Sequence, residues 1–157
     1  ESAANINFTT NLINWASGRV TPGAVNATLN TAAGTVTGGN FTAVSSGFVI
    51  ENIGNTNVTL DLKTGKSAAT LIGGTSPSYR YNISNVDAGS CINGSTVNYS
   101  LFKWDDVNVT DPGTRVCTNF MNTDSKDTMR IDIYIAVPSD SITGTLTDTV
   151  TATATAI

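Results

Sequence analysis

The sequence contains no histidine, only two cysteines and four prolines, and few charged residues. Without histidine, Ser-His-Asp and Cys-His catalytic arrangements and histidine-ligated metal sites are excluded. No apolar run approaches the roughly 18 residues of a membrane-spanning helix. The eight basic residues are scattered singly, without the clustered patch that nucleic-acid binding requires. We therefore expect no catalytic activity, no cofactor or metal, no nucleic-acid partner and no membrane span.

Charged residues make up only 13% of the chain, and threonine, asparagine, serine and glycine take their place. The branched Cβ of threonine favours extended backbone, while glycine and asparagine suit tight turns. No window has apolar residues at three-and-four spacing over three turns, so helices are not expected. About ten short strands separated by turns predict an all-β protein, a single β-sandwich of jelly-roll or immunoglobulin-like type. We divide it into an N-terminal strand (1–13) and a sandwich domain (14–157).

Several strands are legible from the alternation of apolar and polar residues. The clearest are Thr128–Pro138 and Thr145–Ile157. A glycine turn after Val58–Lys63 predicts that this strand folds back as a hairpin onto Ser67–Ile72. Thr96–Trp104 is predicted to be a further strand.

The two cysteines, Cys91 and Cys117, bracket a segment rich in glycine and asparagine. With no second cysteine pair, a metal site is poorly supported, and a disulfide is the simple interpretation in an oxidising compartment. The alternative is two buried free thiols. The first residue is Glu rather than Met, which removal of a signal peptide or trimming of a longer chain would each explain. We expect a secreted protein located at the cell surface.

Asn-X-Ser/Thr motifs (sequons) are the strongest functional signal. The eight acceptors are Asn7, Asn26, Asn40, Asn57, Asn82, Asn93, Asn98 and Asn108. Random placement of this composition predicts roughly four. Asn7 and Asn57 fall on the polar faces of alternating strands, where glycans are tolerated. We expect N-linked glycans; the alternative is a merely polar outer face.

Two weaker patterns are candidates for ligand binding. Asp105, Asp106 and Asp111 offer hard oxygen ligands for Ca²⁺, although their spacing is not that of an EF-hand loop. Trp104, beside this acidic run, is a candidate platform for stacking on a sugar ring. Solvated carboxylates and ordinary aromatic packing are the competing interpretations.

The first strand is amphipathic and terminal. Residues 14–21 after it lack a strong core pattern and suit a tether. An unpaired sheet edge accepts a strand from another chain, and a heterologous contact of this kind propagates into fibres. The alternative is pairing within its own sandwich. The candidate subunit-interface residues are Ala4, Ile6, Phe8 and Leu12.

The C-terminal stretch, Ile131–Pro138 through Gly144–Thr151, looks like the closing hairpin of secreted β-sandwich fibre proteins. It resembles camelysin- and TasA-like matrix proteins and the archaeal bundling pilins. Those proteins are jelly-roll subunits joined by an N-terminal donor strand, which the resemblance places on Ala4–Leu12. The dense sequons and low charge also resemble archaeal surface proteins.

The resemblance implies an extracellular, pilus-like filament, a homopolymer of this chain. The hydrophobic N-terminal helix of type IV pilins is absent from the sequence. The alternatives are a monomeric carbohydrate-binding or adhesin β-sandwich, and a surface-layer domain cut from a longer chain.

Overall fold

The computed structural model describes residues 1–92 and 103–157. In these residues the chain forms ten β-strands and one short helix. The strands are β1 (Ile6–Thr10), β2 (Asn26–Asn30), β3 (Thr35–Thr37), β4 (Phe48–Asn52), β5 (Val58–Thr64), β6 (Ser78–Asn85), β7 (Asp105–Asp106), β8 (Thr114–Phe120), β9 (Thr128–Pro138) and β10 (Val150–Ala156), and the helix is α1 (Ala68–Leu71).

The strands form two sheets in which every pairing is antiparallel. The larger sheet has seven strands and the smaller has the order β10-β5-β8. β9 is the centre of the larger sheet, with neighbours on both sides. One side of β9 pairs with β6, and β6 in turn pairs with β7. The other side of β9 pairs with β4 over its first half and with β2 over its second, and these carry β1 and β3 at the outside.

One hydrophobic core lies between the two sheets. Leu29, Ile50 and Ile131 enter it from the larger sheet, and Leu60 and Phe120 from the smaller. Side chains alternate across a strand, so polar residues such as Thr59 and Arg130 take outward positions between the buried ones. The predicted all-β class and single β-sandwich architecture are confirmed.

A buried polar cluster joins the two strands that share one side of β9. The Thr31 hydroxyl donates to Asp132 Oδ1 (2.7 Å) and accepts from the Ile133 N–H (3.0 Å). Arg130 pairs with Asp132 (2.8 Å) and donates to the carbonyl oxygens of Thr31 and Ser45. The cluster satisfies the polar groups where the ladder passes from β4 to β2, since an unpaired buried group there would cost stability.

The predicted disulfide between Cys91 and Cys117 is formed, with the two Cα atoms 5.9 Å apart. Cys117 lies on β8 and is fully buried, and Cys91 forms an isolated bridge with Phe120 of the same strand. The bond therefore attaches the chain after β6 to the edge of the smaller sheet.

The predicted hairpin of Val58–Lys63 with Ser67–Ile72 is wrong. Ser67 is the N-cap of α1, and its hydroxyl accepts from the Thr70 N–H (3.2 Å), so the chain turns into a helix instead of a strand. The two sides of β5 are filled by β8 and β10, which leave no place for a hairpin partner.

The predicted closing hairpin is also wrong, because β9 lies in the larger sheet and β10 in the smaller. The last strand begins at Val150 instead of Thr145. The predicted strand Thr96–Trp104 lies mostly outside the described residues. In the part of the chain that is described, no helix has the length and apolar character needed to cross a bilayer.

Candidate functional site

The N-terminal strand β1 lies at an outer edge of the larger sheet. Among the described residues its strand partner is β4 of the same chain, with Ile6 opposite Asn52 and Phe8 opposite Ile50. The register shifts between Phe8 and Thr10. The strand is thus five residues long, and its pairing with β4 is irregular at the end.

Two of the four predicted interface residues point into the sandwich. Ile6 and Phe8 are half-buried against the core, and the ring of Phe8 meets that of Phe48 edge-on at a centroid distance of 5.9 Å. Ala4 is exposed, and Leu12 keeps 68% of its surface in solvent. Phe48 was not among the predicted site residues, although an aromatic residue at the start of a strand is a recognisable signal.

The connection after β1 is short. Residues 11–14 belong to no strand. The chain is then anchored, because the Thr42 N–H donates to the Trp15 carbonyl (3.0 Å) and the Arg19 N–H donates to Asn40 Oδ1 (2.8 Å). The tether predicted at residues 14–21 is therefore wrong for residues 15–21, which these bonds and the bridge of Val20 with Gly39 hold in place, and the connection is residues 11–14.

The first and last residues of the chain lie at the same turn, between β4 and β5. The Ala3 N–H donates to Asn55 Oδ1 (2.7 Å) and the Asn55 N–H donates to the Ala3 carbonyl (3.2 Å). On the other sheet the Ile157 N–H donates to the Asn57 carbonyl (3.1 Å). Since β1 is the outer neighbour of β4 and β10 that of β5, both edge strands flank the same side of the sandwich.

Three sequon asparagines are exposed, namely Asn7, Asn26 and Asn40. Asn7 lies on β1 opposite Glu51, on the outer face of the larger sheet. The Asn40 side chain already accepts the hydrogen bond from Arg19. Asn93 and Asn98 lie outside the described residues.

The other three described sequon asparagines have engaged or buried amides. Asn57 Oδ1 accepts from the Asn122 N–H (3.1 Å), and Asn108 Oδ1 accepts from the Thr110 N–H (2.9 Å). The side-chain oxygen of Asn82 on β6 is buried without a hydrogen-bond partner. The structure thus separates the sequons into exposed and restricted groups, which the sequence pattern alone did not.

Each acidic residue proposed as a calcium ligand forms its own ion pair with a basic side chain. The pairs are Asp105 with Lys103 (3.6 Å), Asp106 with Arg80 (2.9 Å) and Asp111 with Lys63 (2.6 Å). Within residues 1–92 and 103–157 no three His, Cys, Asp or Glu side chains come together in a metal-binding group.

Trp104 is half-buried and contacts Tyr134, with ring centroids 5.9 Å apart and planes inclined by 54°. Tyr134 lies opposite Arg80 in the pairing of β9 with β6, and Arg80 forms the ion pair with Asp106. An aromatic pair and an ion pair therefore lie side by side on the outer face of the larger sheet.

The carboxylates of Asp140 and Asp148, outside these groups, both accept hydrogen bonds from neighbouring segments. In a surface depression of about 360 Å³, the Asp140 carboxylate accepts from the Thr75 N–H (2.8 Å) and hydroxyl (2.7 Å), which lowers its pKa. Burial raises the pKa of the Tyr79 hydroxyl above its usual range, and the charge of Asp148 and a hydrogen bond to it add to the effect. Tyr79 thereby ties β6 to the segment before β10.

Comparison with known proteins found no match to this chain. No protein-family model, no curated protein and no solved structure matches the chain.

Proposed function

We propose that this protein is the structural subunit of an extracellular, pilus-like filament. Polymerisation occurs when β1 leaves β4 of its own chain and pairs with β4 of the next copy. The observation that carries the proposal is the position of β1, an edge strand with one strand neighbour followed by a linker in no strand. Such a segment makes the same contacts within one chain or between two, and head-to-tail exchange gives a fibre.

The exposure of Leu12 favours the exchanged form. This side chain shares the apolar character of Ile6 and Phe8 but lies 68% in solvent when β1 pairs within its own chain. Complete burial of a leucine contributes about 1.5–3 kcal/mol. A linker extended between two copies would place Leu12 against the neighbouring subunit and gain part of that energy.

The surface chemistry supports a structural role at the outside of a cell. The acidic residues first considered as a ligand group are paired individually with lysine or arginine. The disulfide is compatible with an oxidising compartment, and three sequons face solvent. Secretion, N-linked glycans and the absence of catalysis are parts of this proposal.

A strand lock tests the exchange. Asn7 and Glu51 are directly opposed on β1 and β4. The double variant Asn7→Cys/Glu51→Cys, oxidised as a monomer, holds β1 in its own chain, and we expect electron microscopy to find no filaments until a mild reductant is added. The matched control is Thr28→Cys/Thr37→Cys, an opposed pair on β2 and β3, which leaves β1 free. Filaments from the oxidised first variant would refute the exchange.

A mixing experiment tests the same contact between chains. Single variants Asn7→Cys and Glu51→Cys are combined before assembly, and we expect disulfide-linked dimers containing one chain of each. Asn7→Gln controls for the loss of the sequon. The native disulfide is protected because Cys117 is fully buried. If the assembled material contained no mixed dimers, β1 would not pair with β4 of the next copy. Deletion of residues 1–13 should leave only monomers.

A second candidate function is sugar binding by a monomeric carbohydrate-binding or adhesin domain. It is favoured by the aromatic pair of Trp104 and Tyr134 beside the ion pair of Arg80 and Asp106. Aromatic faces stack on sugar rings, and an ion pair offers fixed donors and acceptors to hydroxyls. Glycan-array binding that is lost in Trp104→Ala, from a protein that forms no filaments, would favour this function.

A further inference from the structure

We propose that β10 is a second self-association site, which pairs antiparallel with β10 of another copy about a two-fold axis at Thr153. This contact is separate from the exchange of β1 and does not depend on it. It joins two chains through identical strands, whereas the exchange of β1 is head-to-tail.

Edge strands invite pairing with other chains unless they are short, irregular, charged or covered. β7 has two residues, both aspartate, and β3 has three residues. β1 is interrupted by its register shift, and Ile92 lies along β8, where its N–H donates to the Asn119 carbonyl (2.9 Å). In the described part of the chain, β10 alone lacks these protections: it has seven residues in unbroken register, with no charge, proline or sequon.

The ladder with β5 determines which main-chain groups of β10 face outward. The Gly65 N–H donates to the Thr149 carbonyl (3.2 Å), and the Ile157 N–H donates to the Asn57 carbonyl (3.1 Å). The same register runs between these positions, and every second residue of an antiparallel strand bonds to the same neighbour. Odd-numbered residues therefore bond to β5. The outward N–H and C=O groups are those of Val150, Ala152, Ala154 and Ala156.

When two such strands overlap fully, the outward main-chain groups of one strand face those of the other. If residues 150–156 of both copies pair antiparallel, Ala152 lies opposite Ala154 as a hydrogen-bonded pair, and Val150 lies opposite Ala156. Thr153 then faces itself as a non-hydrogen-bonded pair, with Cα atoms about 4.5 Å apart. The exposed face of the strand is threonine at every position, so the new cross-strand pairs are Thr–Thr, a combination that stabilises sheets.

The contact is small. One pair of strands is a narrow interface compared with those of stable dimers, so isolated chains associate weakly. Copies already aligned in a filament would make many such contacts at once, which multiplies their effect. The β10 edge would thus hold assembled chains side by side, and free chains would meet there transiently.

A cysteine at the axis traps this transient contact. For the full chain in its monomeric fraction, we expect Thr153→Cys to form a disulfide-linked dimer under mild oxidation, at least about tenfold faster than Thr59→Cys, since a Cα separation of about 4.5 Å permits the bond. Thr59 lies on the same outward face of the neighbouring β5, which makes it the matched control. Thr151→Cys mixed with Thr155→Cys should give the mixed dimer, because these positions oppose each other in the proposed register.

A proline tests the hydrogen bonds. Thr153→Cys/Ala154→Pro removes an outward N–H and leaves the ladder with β5 intact, and we expect at least about a tenfold loss of the dimer. Thermal unfolding of each variant confirms that the sandwich is folded. Equal rates for Thr153→Cys and Thr59→Cys would overturn the proposal. So would a cross-link from Thr153→Cys to Asn7→Cys of another copy without a link to itself, because the edge would then accept β1.

Discussion

Removal of the disulfide should destabilise the protein by an amount that the loop length determines. Cys91 and Cys117 are 26 residues apart. Closing a loop of that size lowers the entropy of the unfolded chain and contributes about 3.5 kcal/mol at 25 °C. We expect the Cys91→Ala/Cys117→Ala variant to lose about this much free energy of unfolding. For a chain of 157 residues the loss corresponds to a fall in Tm of about 10 °C.

Urea unfolding followed by circular dichroism measures this change. The m value should rise in the variant, because an unfolded chain without the cross-link exposes more surface. The single variant Cys91→Ala is the control, since it breaks the same bond and should be destabilised similarly. A loss below about 1 kcal/mol with an unchanged m value would refute the conclusion that the disulfide stabilises the protein by restricting the unfolded chain.

Three further predictions concern two buried polar side chains and the sequons. Thr31→Val should cost about 2–4 kcal/mol in urea unfolding, because Asp132 loses a donor and the Ile133 N–H loses its acceptor; a loss below about 1 kcal/mol would contradict the role of this cluster. Since burial raises the pKa of Tyr79, the unfolded chain releases this proton first as the pH rises, so the free energy of unfolding should fall above about pH 10. Tyr79→Phe should flatten that slope above about pH 10, measured by unfolding at each pH. Glycopeptide mass spectrometry should find glycans at the three exposed sequons and none at Asn82, whose side-chain oxygen is buried.

Much of the fold could be predicted because its signals are local. Alternation along β9 identified its buried face, and the isolated cysteine pair identified the disulfide. The partner of β5 could not be predicted in this way. Thr64 and Gly65 are typical of a hairpin turn, but the pairing with β10 joins residues far apart in the chain, and the side chain of Ser67 favoured a helical turn locally.

The candidate site was predictable on one strand and not on the other. Alternation identified Ile6 and Phe8 as the apolar face of β1. Nothing in the sequence near β1 marks β4 as its partner, since their pairing depends on the order of strands in the finished sheet. The exposure of the sequons depends on the same order. Asn7 and Asn82 have the same motif, but β6 lies between β9 and β7, whereas β1 pairs only with β4 and remains at the edge.

The central position of β9 has a consequence for biosynthesis. β9 begins at Thr128, yet it organises β2, β4 and β6, which are all synthesised earlier. The larger sheet cannot close while the ribosome is still adding the residues before β9. During that interval the apolar faces of the early strands lack their central neighbour in the larger sheet. The absence of a glycan at Asn82 would therefore indicate that β9 pairs with β6 before a modifying enzyme reaches that residue.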